Sequence, residues 1–133
     1  MTKLTPFGWI GILILSAAPN CAFALCATPS SLNGAFRGND GGVYYIRQVG
    51  SDVWWFGRSA DQPPTFANVF KGVRNGATIT GVWADVPLGR TRGAGTMTLN
   101  VVNNADLRRT AVTGGFGGSR FFIPCEDVIL NPR

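Results

Sequence analysis

From Asn33 onward, apolar and polar residues alternate over short runs, and Gly, Asn, Asp or Pro interrupts them about every eight to twelve positions. Side chains of an extended chain point to opposite faces in turn, so this period of two predicts β-strands with one face in a core. The first strand is expected over Asn33–Gly38, followed by a turn at Asn39-Asp40-Gly41-Gly42. Val43–Gln48 and Val53–Arg58 flank Val49-Gly50-Ser51-Asp52 as a tight hairpin, rich in the aromatic and β-branched residues that suit a pleated surface. Ser59–Pro64 is a loop, because Pro63 and Pro64 have no N–H to give a ladder. Strand character resumes over Thr65–Arg74, and Ala77–Val86 returns after Asn75-Gly76, a pair suited to the positive φ angles of a type I′ turn.

Further on, Gly95–Val102 sends Met97, Leu99 and Val101 to one face and Thr96, Thr98 and Asn100 to the other. A turn at Asn103–Asp106 leads to Leu107–Val112, and a last strand is expected over Ser119–Ile123. Nothing in the pattern calls for helices. About eight strands with short antiparallel connections predict an all-β up-and-down barrel, since closure removes exposed edges. A β-sandwich is the alternative.

The amino terminus does not belong to this pattern. Phe7–Ala18 is an unbroken run of apolar and small residues, preceded by Lys3 and followed by Pro19-Asn20. That layout predicts a cleavable signal peptide over residues 1–24, with Ala22-Phe23-Ala24 at the cleavage site and Leu25 as the first mature residue. The run is shorter than the roughly 20 residues of a membrane-spanning helix. Neither Cys21 nor Cys26 follows the small residue that a lipid-modified cysteine expects. Cleavage would discard Cys21 and leave Cys26 and Cys125 to pair in an oxidising compartment. In the chain-entropy description, a bond closing a loop of about 100 residues stabilises by up to ~4.7 kcal/mol. Residues 25–133 are then one domain, secreted or periplasmic, with no membrane attachment after cleavage. Several strands are also shorter than the roughly 9–11 residues that cross a bilayer as a barrel.

Composition narrows the chemistry. The chain carries a formal net charge of +5 and no histidine, so the commonest general base, the Ser-His and Cys-His pairs and the commonest metal ligand are all missing. A non-enzyme without cofactor or metal is expected. Beyond the leader, ten of the eleven cations are arginine and Lys71 is the lysine; this fits an acidic partner or plain solubility, and no nucleic-acid motif accompanies it. Asp40, Asp52 and Asp106 fall in turns, where Asp bonds its own backbone. Asp85, at the end of an aromatic-rich strand, is expected to partner an arginine or to serve as a turn residue at the rim. Gly114-Gly115-Phe116-Gly117-Gly118 lacks the order of a phosphate-binding loop and reads as a flexible turn or a pair of bulges. Arg108 and Arg109, adjacent on a strand, are expected on opposite faces.

Aromatic residues carry most of the functional content. Tyr44, Tyr45, Trp54, Trp55, Phe56, Phe66, Phe70 and Trp83 fall on four consecutive strands among Arg47, Gln48, Asn68 and Asp85. Alternation puts Trp54 and Phe56 on one face and Trp55 on the other, so one aromatic face is core and the second is available as a cavity lining or stacking platform. The candidate ligand-binding residues are Tyr45, Arg47, Trp54, Trp55, Asn68, Trp83 and Asp85.

The segments Tyr44–Gln48, Val53–Gly57, Phe66–Gly72 and Ile79–Pro87 resemble a recurrent pattern of uncharacterised bacterial secreted β-barrel proteins, a likeness that brings no activity with it. Gly76–Trp83 is also similar, in β-meander style, to strands of avidin-like and lipocalin-like barrels, whose polar ligand-binding residues have no position-by-position match here. The leading expectation is a barrel that binds a small molecule or glycan fragment through its aromatic residues. The runner-up is an envelope protein-interaction or inhibitor module.

Overall fold

Each run that alternates in the sequence hydrogen-bonds to the next one along the chain. The computed structural model describes residues 26–124. Its strands are β1 (Gly34–Gly38), β2 (Val43–Val49), β3 (Asp52–Arg58), β4 (Ala67–Asn75), β5 (Thr78–Asp85), β6 (Ala94–Val102), β7 (Asp106–Val112) and β8 (Phe121–Pro124). They form a closed antiparallel barrel in chain order. Closure runs through β1 and β8, with Phe36 opposite Pro124 and Gly38 opposite Phe122, which sets the sandwich aside. No helix occurs among the described residues.

Boundaries differ from the sequence reading by one or two residues, as expected where turn chemistry decides the end of a strand. The hairpin after β4 is one such case. Asn75 pairs with Thr78, so Gly76 and Ala77 occupy the turn. Of these, Gly76 alone has positive φ, at 62°. That is the arrangement of a type II′ turn, which asks for glycine at its first central position, rather than the expected type I′ turn over Asn75-Gly76. The hairpin between β2 and β3 follows the same rule, with Val49 paired to Asp52 and Gly50 at φ 59°.

Eight strands enclose just enough room for side chains, and these fill it. Phe36, Tyr44, Ile46, Val53, Trp55, Phe70, Ile79, Trp83, Met97, Leu99, Leu107 and Phe122 are buried inside; Val101 is half-buried against them. Tyr44 packs edge-on to both Trp55 and Phe122, at 5.3 and 4.7 Å between ring centroids.

The two ends differ. At one, short turns join the strands, and the segment before β1 crosses them with Leu32 fully buried. Gln48 and Arg74 hold that segment: Gln48 Oε1 accepts from Leu32 N at 3.2 Å, and Arg74 Nη2 donates to the Pro29 carbonyl. At the other end lie the turn 39–42 and the longer loops 59–66, 86–93 and 113–120. The predicted signal peptide and cleavage site, together with Cys21, Leu25 and Cys125, lie outside the described residues, so the Cys26–Cys125 pairing is not part of this description.

Candidate functional site

Between those longer loops the barrel opens into a recess of about 270 Å³. Its position follows from the strand ends: β4 begins and β5 finishes at this rim, which places Asn68 directly opposite Asp85. Aromatic walls come from Phe66, Trp83 and Phe116; Asp40, Asn68 and Asp85 supply the principal polar groups.

Asn68 is 2% exposed. Its Oδ1 accepts the indole N–H of Trp55 at 2.9 Å, which fixes the amide orientation and makes Nδ2 the outward donor. Among the described residues Nδ2 has no protein acceptor. Nδ2 is not sealed in the core: the residue lines an open recess, and this donor is accessible from it.

Asp85 Oδ2 accepts from the Gly93 backbone N–H at 2.7 Å. This matches the expected turn role at the rim; no arginine pairs with it among the described residues. Asp40 performs the equivalent task on the other side, accepting from Gly42 N at 2.8 Å and from the Tyr44 hydroxyl at 3.0 Å. Burial, reinforced by the Asp40 charge, pushes the Tyr44 phenol well above the usual tyrosine range. Among the described residues, both charged ones lining the recess are carboxylates, within a chain of net charge +5.

Phe116 shapes the opening. Gly114 and Gly115 take φ of 79° and 77°, a region that excludes most side chains, and they turn loop 113–120 inward. Phe116 is thereby left 7% exposed, edge-on to Trp83 at 4.8 Å. Arg109 holds it there, donating from Nη1 to the Phe116 carbonyl at 3.1 Å and placing its guanidinium 5.2 Å from the ring centroid. Trp83 Nε1 donates to the Thr113 carbonyl at 3.0 Å, tying the same loop to β5.

The seven candidate residues therefore separate. Asn68, Trp83 and Asp85 meet at the recess. Trp55 lies beneath them in the core, bonded to Asn68. Tyr45, Arg47 and Trp54 are on the outside wall, where Tyr45 is 53% and Trp54 46% exposed. There Trp54 sits across from Arg47 on one side and Lys71 on the other, with Lys71 Nζ 4.9 Å from its ring centroid. Sequence reasoning missed Phe116 and the position of Asp40. An aromatic residue centred between two glycine pairs was the available signal for the first.

The recess holds carboxylates, an amide, hydroxyls and aromatic rings. Among the described residues no three potential ligands cluster as a metal site. The arrangement suits binding of a ring between aromatic walls, oriented by one N–H donor and by carboxylate acceptors. No protein-family profile, curated protein sequence or solved structure matches the chain.

Proposed function

We propose that this protein is a non-catalytic binding barrel that holds a small molecule or a glycan fragment in the loop-end recess. The observation that carries this reading is Asn68, whose Oδ1 is committed to Trp55 while its Nδ2, without a protein acceptor among the described residues, is accessible from the recess. A ligand oxygen accepts from Nδ2, a ligand hydroxyl or amine donates to Asp85, and an apolar ring face lies against Trp83 and Phe116. The volume of about 270 Å³ falls just under the usual range for small-molecule sites, roughly 300–1,000 Å³, and so suits one sugar ring or a compact heterocycle. In the same reading the chain works outside the cytoplasm, with residues 1–24 removed and Cys26 joined to Cys125.

The test is tryptophan fluorescence and amide chemical-shift titration against a panel of monosaccharides, amino sugars and small heterocycles. Binding that perturbs Trp83 and disappears in Asn68→Ala supports the reading; an unresponsive recess across the panel opposes it. A second reading, a protein-interaction module, draws on the outer wall. There Tyr45, Trp54, Val69, Val73 and Val82 are all exposed, and apolar area of that kind is found where partners dock. Recovery of a specific envelope protein in a pull-down that Trp54→Ala abolishes would favour it.

A further inference from the structure

The barrel is closed, yet its last seam is short. β8 pairs with β7 at Leu107–Phe122 and Arg108–Phe121, and the ladder ends with the Arg109 N–H donating to the Arg120 carbonyl at 2.8 Å. Beyond that point loop 113–120 turns inward with Phe116. On its other side β7 remains paired with β6 up to Val112, which faces Met97. Ala111 and Val112, past a register shift that leaves Thr110 unpaired, consequently have β6 on one side and no strand on the other among the described residues, and a notch of about 340 Å³ runs along them.

Three guanidiniums border this notch, from Arg108, Arg109 and Arg120. On a fully paired strand Arg108 and Arg109 would serve opposite faces; the gap in the seam lets both reach it. Arg108 lies 5.8 Å from the centroid of Phe121, and Arg109 is anchored at Phe116. None of the three has a carboxylate partner among the described residues, and no acidic residue lines the notch. Burial, and then the charge of Arg120, lower the pKa of Arg109 against the smaller opposing effects of Tyr44 and Asp40.

We propose that this edge binds an extended acidic segment of a partner protein as an added strand. The segment's backbone pairs with the open side of Ala111 and Val112, and its carboxylates meet Arg108 and Arg120. Strand addition draws affinity from main-chain hydrogen bonds and selectivity from alternate side chains, and arginine forks match carboxylates in geometry as well as charge. The notch includes the strand edge as well as the guanidiniums, which is why a peptide is favoured over a free anion. This proposal stands apart from the recess ligand.

The experiment is amide chemical-shift titration of the oxidised, full-length mature protein with a peptide of alternating Glu and Val. Its controls are an alternating Lys-Val peptide, the Glu-Val peptide with alternate amides N-methylated, and inorganic phosphate. Shifts centred on Ala111, Val112 and Arg120, seen with the Glu-Val peptide and absent with its N-methylated form and with Lys-Val, are expected. Arg108→Gln and Arg120→Gln should each weaken binding about tenfold, the size of one charge-assisted hydrogen bond. Arg90→Gln, an exposed cation outside the notch, should leave it unchanged. Equal binding of the N-methylated peptide, equal weakening by Arg90→Gln, phosphate as the sole ligand, or no binding would each overturn the proposal.

Discussion

Asn68 and Asp85 stand directly across from each other where β4 meets β5, one with an uncommitted amide donor and the other with a carboxylate tied at one oxygen to the Gly93 backbone. The pair gives the recess a donor and an acceptor on adjacent strands, both set by ladder register rather than by a mobile loop. Sites on paired strands hold their geometry better than sites on loops.

Asn68→Leu should lower stability as well as abolish ligand binding. The substitution leaves the Trp55 indole N–H without its acceptor inside the core, at a cost of about 1–3 kcal/mol. Asp85→Asn, which keeps size and leaves an oxygen for Gly93 N, should cost much less stability while weakening ligands that donate to the carboxylate. Urea unfolding of both variants, read beside ligand titration, separates the two roles; equal stability loss in the pair would contradict this division.

Phe116→Ala should open the recess into the upper core. Removing a buried phenylalanine costs about 3 kcal/mol or more where the surroundings do not collapse. The Trp83 emission should shift to longer wavelength as water reaches the ring that Phe116 now covers at 4.8 Å. An unchanged spectrum would mean that Phe116 does not seal the mouth.

Tyr44 makes stability depend on alkaline pH. Its folded pKa lies above the ordinary tyrosine value of 10.0, so on raising the pH the unfolded chain releases the phenolic proton before the folded one does. The contribution of protonated Tyr44 is therefore present in full below pH 10 and is lost as the pH climbs toward the folded value. Denaturant unfolding across that window should show a downward slope that Tyr44→Phe removes. At the acid end, hydrogen bonds from Ser59 and then Thr65 hold exposed Asp61 at about 2, below the ordinary aspartate value of 3.8; its contribution is present above pH 3.8, fades as the pH falls through 2, and is small because solvent screens it.

Thiol titration of the mature protein under denaturing, non-reducing conditions should find no free cysteine. Reduction should then lower the midpoint of thermal unfolding, since a bond between residues near the two ends of the domain restricts the unfolded chain most. Two reactive thiols before reduction would rule out the Cys26–Cys125 bond and leave the barrel standing.

The barrel was legible because alternation is a strong local signal, and a strand that buries one face cannot slip by one residue without exposing its core. Met97 and Leu99, read as one face, are both buried, while Trp54 and Trp55 separate to the outside and the core as alternation requires. The turn after β4 was misplaced by one residue because Asn75 and Gly76 each tolerate turn conformations, and ladder register decided between them. Alternation gives a side chain's face and says nothing about its height along the barrel. Asn68, Trp83 and Asp85 share a rim for reasons that only register supplies, whereas Tyr45 and Arg47 occupy the outer wall by alternation with buried Tyr44 and Ile46. Phe116 escaped the reading because its burial depends on where a loop folds back, and the Arg108–Arg109 notch escaped it because it exists only where β8 is too short to cover β7.

Closure joins the first strand to the last, with Phe36 opposite Pro124, whereas every other pairing links neighbours in the chain. A chain emerging amino terminus first can thus form its hairpins one after another, yet it keeps two unsatisfied edges until residue 124 has appeared. Unpaired edges of that kind are ready to pair with whatever strand they meet. β8, paired to β7 on one side and to β1 on the other, is the latch that closes the ring.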